Sequence, residues 1–279
     1  ATTANTLTGA GDLVLGGQTT SDGVLALAIN NNLSGDLYVQ NGVVRLTNAT
    51  GAGTGVIVVS NGAALDVQVV NVANRVALMG TGTYGTGALL NSGSVTTPSV
   101  SGQVFLGNNV FIGGSLTLSG EVTDQGAGYG FTKVGSGTLT LSGTNTFTGS
   151  LWVREGSLAA AIFNNAGAVG PLGNSSAGVT LGSSGGGLAT LSYTATIGTS
   201  TTRPLVLASG GTGVLNVFNA AAALTPTVAI TGEGQLTKTG AGTLILGTAN
   251  AHTAGTNVQA GSLRIFAESA LGTGSLTLG

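Results

Sequence analysis

The sequence predicts an all-β chain, a parallel β-helix that coils strand, corner, strand, corner. Two observations carry that reading. A long text is written twice, and inside each copy the apolar residues alternate at a period of two between glycine-rich corners. Residues 131–161 read FTKVGSGTLTLSGTNTFTGSLWVREGSLAAA, and residues 236–266 read LTKTGAGTLILGTANAHTAGTNVQAGSLRIF. At one offset of 105 residues Lys133 matches Lys238, Gly135 matches Gly240, Gly137 matches Gly242 and Gly156 matches Gly261. A worn third copy opens the chain with GAGDLVLGG at 9–17 and LYVQNGVVRL at 37–46. Gly42 there stands 114 residues before Gly156, with extra residues around 19–30. A long-period repeat built of short strand texts marks a solenoid.

Each copy follows one physical plan. The Gly-x-Gly steps (Gly135 and Gly137, Gly240 and Gly242) let the backbone turn at positive φ without a Cβ clash. Thr-Leu-x-Leu follows, so Leu139 and Leu141 face one side of a short strand, as do Leu244 and Leu246. Leu13 and Leu15 take the same role in the first copy, and these six leucines are the expected continuous interior. A polar corner at 142–149, rich in Gly, Asn and Thr, favours turns and asparagine ladders. Further strand texts, 151–153 and 157–160, flank Gly156.

The pattern divides 1–279 into one elongated domain of about two and a half long repeats, 1–120, 121–231 and 232–279. In the first, period-two sets run Leu25/Leu27/Ile29, Leu37/Val39, Val44/Leu46, Val56/Val58 and Leu65/Val67, then 69–76, 88–90, 104–106, 110–112 and 116–118. The stretch 80–87 (GTGTYGTG) reads as a loop. The second adds strands at 179–181, 188–191, 205–207, 214–217 and 228–230. At 219–224 (NAAAAL) the alanines favour a helix, but Pro226 follows too soon for a stable one, so a loop or single turn is expected. At roughly 20–25 residues per coil, about a dozen coils rise about 4.8 Å each, with right-handed crossovers.

Taken together, TKxGxGTLxLxGxNTxTGxxxVxxGSL resembles the autotransporter-associated β-strand repeat of bacterial surface proteins. The copy at 131–161 matches best, including Asn145, Thr146, Phe147, Thr148 and Gly149. The last copy departs at 250–255 (NAHTAG), and the first has lost its Thr-Lys start. The resemblance covers about a third of the chain directly, and spacing extends it further. It implies a right-handed parallel β-helix that is exported, often carried by a larger surface protein. It implies no chemistry.

Composition agrees independently. Gly is 51 of 279 residues, 6% are charged, 42% are hydrophobic, net charge is −2 and mean hydropathy is +0.44. That bareness points to assembly, and the hydrophobic content excludes disorder. Glycine lacks the every-third-residue spacing of collagen. Seven Lys and Arg, spread singly, make no nucleic-acid surface. No apolar run reaches the length of a transmembrane helix, roughly 20 residues. With no cysteine, disulfide and thiol chemistry drop out. The small residue Ala1 fits a mature chain cut after an export signal.

Neither catalysis nor a cofactor or metal is expected. Of the acids only Glu121 and Asp124 are close in sequence, and solvated corners are their better reading. His252, the one histidine, replaces Phe147 and lacks ligand companions, so it reads as corner packing. GSSGG at 182–186 has no helix text after it, which argues against a nucleophile elbow. GTGTYG and GAGTG lack the Lys-Ser/Thr end of a phosphate loop. Lys133 with Lys238, and Arg45 with Arg264, recur at repeat positions. They read as edge charges that keep the rod soluble, or alternatively as a basic stripe touching glycans. Trp152 and Tyr38 read as corner packing, or alternatively as a sugar-binding aromatic face.

The leading expectation is an extracellular structural rod joined head-to-tail with copies of itself. Thr6, Leu7 and Thr8 at one end would meet Leu276, Thr277 and Leu278 at the other, since neither end reads as capped. A passenger fragment of an autotransporter adhesin is the second reading, and a polysaccharide-processing β-helix enzyme the third. Cell-surface glycans are the expected partner class beside the chain itself.

Overall fold

The computed structural model describes residues 6–16, 23–68, 70–93 and 97–279. Parts of the expected insertion at 19–30, Ala1 and Val69 lie outside the described residues. Alternating short apolar strands cannot bury their faces alone, so the chain stacks them turn upon turn. The result is a parallel β-solenoid of about 11 turns. Every strand pair among the described residues is parallel, for example Val76↔Val104, Ile112↔Lys133 and Leu139↔Leu158.

The strands line up as long ladders. Sheet I has six strands, from Leu13–Leu15 to Val122–Thr123. Sheet II has ten, from Val24–Leu27 to Ile230–Gly232, and sheet III ten, from Asn71–Val72 to Leu276–Leu278. Sheet IV, four strands from Thr199–Thr201 to Ser262–Ile265, gives the later turns another face. A small pair, Thr8–Gly9 with Asn32–Leu33, flanks the first turns. One middle turn shows the plan: Val104–Leu106 in sheet I, Val110–Gly114 in sheet II, Leu116–Leu118 in sheet III, then sheet I again at Val122.

One interior runs along the stack. Inward register carries Val44, Leu65, Leu89, Ile112, Lys133, Val153 and Leu181 in successive turns of sheet II. Leu139, Leu141, Leu244 and Leu246 are buried, whereas Leu13 and Leu15 are half-buried against the same core. The pairing also shifts two readings of the sequence. Leu13–Leu15 pairs with Leu37–Val39, as Phe131–Val134 pairs with Leu151–Val153. The counterpart of Thr138–Leu141 is therefore Val24–Leu27, which pairs with Val43–Leu46. Near residue 57 the alternation is out of phase: Ile57 and Val59 are buried, and Val58 points outward.

Corners are set by glycine where two turns meet. Gly156 (φ 73°) and its repeat counterpart Gly261 (φ 71°) are left-handed, and a Cβ on either would collide with carbonyl oxygens of the preceding turn. At 80–87 a 3₁₀ turn, Thr83–Gly85, interrupts the loop. Residues 219–221 make a single turn, closed by Ala222 N–H to Asn219 O at 3.0 Å, before the strand Ala223–Pro226.

Candidate functional surface

Polar residues at the corners are turned inward, where the ladders lapse and backbone groups need partners. Asn145 accepts from Val122 N–H (2.8 Å) in the preceding turn and donates to Pro171 O (2.7 Å) in the following one. Asn250 repeats this between Ile230 N–H (2.7 Å) and Ala270 O (2.5 Å). Asn31, within the turn text Asn30-Asn31-Asn32, does the same between Leu7 N–H (2.9 Å) and Gly51 O (2.7 Å). The asparagines thus bridge turns rather than stacking on one another.

The acids are equally committed. Asp124 is buried and accepts from the N–H groups of Gly126, Gly128, Tyr129 and Thr148 and from the Thr148 hydroxyl (2.6 Å). Burial alone would raise its pKa, but these donors hold the carboxyl below its ordinary value. Glu121 accepts from the Thr146 hydroxyl (2.6 Å) and the Gln103 amide (2.8 Å), which lower its pKa. Asp124 is therefore no solvated corner residue, whereas Glu121 keeps part of its surface in solvent. Asp66, nearly buried, pairs with Arg45 at 2.7 Å and accepts from Ser92 and Gln68.

The lysines are not edge charges. Lys133 and Lys238 have no exposed surface, and their ammonium groups donate to corner carbonyls. Lys133 reaches Val134 O (2.7 Å) and Gly135 O (2.6 Å); Lys238 reaches Thr239 O (2.6 Å), Gly240 O (2.9 Å) and Ala260 O (3.1 Å). Burial pulls both pKa values down to about 8, with Glu155 opposing the shift at Lys133. Arg203, missed in the sequence, is also buried. Its guanidinium donates to Ser175 O (2.6 Å), Gly173 O (2.8 Å) and Asn165 O (3.0 Å), pinning the long corner at 164–175, and burial lowers its pKa to about 10.

His252 fills a buried corner position. Thr256 gives its hydroxyl proton to Leu271 O (3.0 Å), so His252 Nε2–H donates to Thr256 Oγ1 (2.8 Å). Among the described residues Nδ1 has no partner, which fits a neutral ring whose pKa burial lowers. Its counterpart Phe147 packs edge-to-face on Phe131, ring centroids 5.4 Å apart. The sequence 182–186 is a turn closed by Gly186 N–H to Ser183 O (3.1 Å), followed by the strand Leu188–Tyr193. Among the described residues no three His, Cys, Asp or Glu gather as a metal site.

The two long copies, at 131–160 and 236–265, both match the passenger-associated-transport-repeat family. The chain carries passenger-associated-transport-repeats. It is also similar to the adhesin BmaC autotransporter of Brucella suis biovar 1 (strain 1330), 34% identical over 265 residues. That alignment covers 91% of this chain and 7% of the relative, so the chain spans a small part of the relative's length. No solved structure matches it significantly.

Within the solenoid the two repeats are rotated against each other. The first places Phe131–Val134 in sheet II and Thr138–Leu141 in sheet III; the second places Gln235–Thr239 in sheet III and Thr243–Leu246 in sheet IV. Equivalent repeat residues therefore face different ways. Lys133 and Lys238 form no basic stripe, since they are buried on different sheets. Arg45, on sheet II, is tied to Asp66, while Arg264 lies exposed on sheet IV. Tyr38 and Trp152 likewise sit on sheets I and II and share no aromatic face. Trp152 donates Nε1–H to Gly182 O (2.7 Å), and the Arg154 guanidinium stacks 5.4 Å from its ring centroid.

The repeats do place a polar carpet on the outside of sheet III. Thr138, Ser157, Thr190, Val214, Thr237, Asn257 and Thr277 share one outward register line. Beside it lie Ser99, Thr117, Thr140, Ala159, Ser192, Asn216 and Thr239. No charged side chain interrupts either line. Two adjoining hollows of about 440 and 400 Å³ share Ser157 and Asn216 and open along this face.

The expected assembly ends are exposed. Thr6, Leu7 and Thr8 are open to solvent, and Thr8–Gly9 pairs with Asn32–Leu33. Leu276, Thr277 and Leu278 are exposed, with Leu278 at 72%, and pair on one side with Thr256–Val258.

Proposed function

We propose that this chain is a stretch of the β-solenoid passenger of a surface-exposed adhesin, serving as a rod that carries contacts away from the cell. The observation that carries the reading is the similarity along nearly the whole chain to an autotransporter adhesin, together with two transport repeats. The unbroken parallel ladder supports it, because about 11 turns at about 4.8 Å each make a rod roughly 50 Å long. The role is non-catalytic in this reading, and the structural bonds of Glu121 and Asp124 support that. The test is the chain in its parent protein on intact cells. An antibody against it, and its cleavage by an externally added protease, should show surface exposure; a chain reached only after lysis would overturn the reading.

A second reading is head-to-tail joining, in which Leu276, Thr277 and Leu278 of one chain pair with Thr6, Leu7 and Thr8 of the next. The exposed final strand favours it, although a solenoid that continues in its own chain presents the same edge. Native mass spectrometry separates the two. Open-ended oligomers abolished by Thr277→Pro, which removes a ladder donor, support joining; a concentration-independent monomer refutes it.

A further inference from the structure

The trough on the outside of sheet III has the chemistry of a glycan site, and it lies away from the aromatic residues that sequence equivalence had paired. It crosses six successive strands, from Thr138–Leu141 to Thr256–Val258. Five strand spacings make it about 24 Å long. Its floor is outward-facing yet sunken: Val214 is 6% exposed and Thr237 3%. Hydroxyls and side-chain amides dominate the lining, and no charged side chain takes part.

Two features distinguish this trough from an ordinary polar sheet face. Phe218 lines it with 61% of its surface exposed, and Leu188 does so with 62%. An exposed ring beside amides offers an apolar platform with polar partners around it, as a pyranose with its C–H face and hydroxyl edge requires. The amides are also available. Among the described residues, the side chains of Gln235, Asn257 and Gln259 have no hydrogen-bond partner. Asn216, by contrast, is held in place by donating to Ser192 Oγ at 3.0 Å.

We infer that this trough binds a neutral, unbranched polysaccharide lying along the solenoid axis. Charge decides the class. A sulfated or uronic glycan needs cations, and the six strands crossed carry only Lys238, whose side chain is buried on the inward side. Register decides the direction, because equivalent donors recur turn after turn along the ladder, as equivalent hydroxyls recur along an extended sugar chain. The site does not depend on the adhesin reading, since it rests on the lining alone.

The test is affinity electrophoresis of the chain through gels containing dextran, a β-1,3-glucan, a β-1,4-glucan or a mannan, with heparin and polygalacturonate as charged probes. At least one neutral polymer should retard the chain. Phe218→Ala should weaken that retardation roughly tenfold, and Thr237→Lys should abolish it. Val58→Lys, outward on sheet I, should leave it unchanged. Circular dichroism of each variant establishes that the solenoid is intact. Retardation by the charged polymers alone, by none of the six, or by neutral polymers equally in all three variants would overturn the inference.

Discussion

A lysine on an inward register position carries its charge into the core, and only specific partners make that tolerable. Lys238 occupies the line that Leu215 and Val258 hold in the adjoining turns, and its stem packs as they do. At its tip three donors meet three corner carbonyls, groups that the glycine turn leaves without ladder partners. Removing the amine would strand those carbonyls, at about 1–3 kcal/mol for each one left unsatisfied. The pH dependence follows from burial. Folding lowers the pKa of Lys133 and Lys238 from 10.5 to about 8, so between these values the unfolded chain holds protons that the folded chain has released. Stability from these two groups is lowest below pH 8 and rises towards pH 10.5. Tyr38 and Tyr193, whose pKa values are raised by Asp36 and by burial respectively, push the other way at the alkaline end. The discriminating quantity is therefore the urea midpoint of the chain minus that of Lys133→Met/Lys238→Met, measured from pH 7 to 10. That difference should climb above pH 8; a flat line would mean that the ammonium groups are solvated.

At the scale of the element, leucine alternation made the strands legible, since Leu139, Leu141, Leu244 and Leu246 can be buried together only on one side of a strand. What alternation cannot show is which face of the coil a strand joins. Every face shares the same inward–outward pattern, so the repeat folds equally well when rotated by one sheet. For the same reason alternation alone matches Leu13–Leu15 to Thr138–Leu141, although its partner strands make it the counterpart of Phe131–Val134, and two side chains with equal repeat offsets, Tyr38 and Trp152, lie on different faces. The lysines were legible as repeat marks but not as buried groups, because the carbonyls that hold them are backbone. Arg203 carried no signal, as its partners are again carbonyls of a corner without a motif. Glycine corners admit a direct test. Gly156→Ala must adopt a left-handed backbone, costing about 1–2 kcal/mol, and must also displace carbonyls of the preceding turn. Gly126 has the same backbone hand (φ 82°) with open space around its Cβ direction. Gly126→Ala should therefore lower the urea-unfolding stability by the backbone cost alone and Gly156→Ala by clearly more. Equal losses would show that the close approach at Gly156 is not what fixes the corner.

On the scale of the whole molecule, each turn touches the turns before and after it and little else, so stability is carried locally and passed along the stack. Leu244 shows how far a lesion should travel. It is buried, flanked in sheet IV by Leu224 on one side and Leu263 on the other. Leu244→Asp removes about 1.5–3 kcal/mol of apolar burial and adds a carboxylate with no partner. In a globular domain with one shared core, that loss would lower protection everywhere. Here the strands Ala223–Pro226, Thr243–Leu246 and Ser262–Ile265 should open, while Val43–Leu46 and Ala64–Val67, many turns away, keep their ladders. Hydrogen exchange followed by mass spectrometry reads this directly. Amides of the sheet IV strands should exchange at least tenfold faster in Leu244→Asp, with rates in the two early strands unchanged. A uniform increase from one end to the other would make the solenoid a single cooperative unit. Local loss fits a rod of stacked turns, because damage to one turn then leaves distant faces, including the early turns of sheet II, still in register.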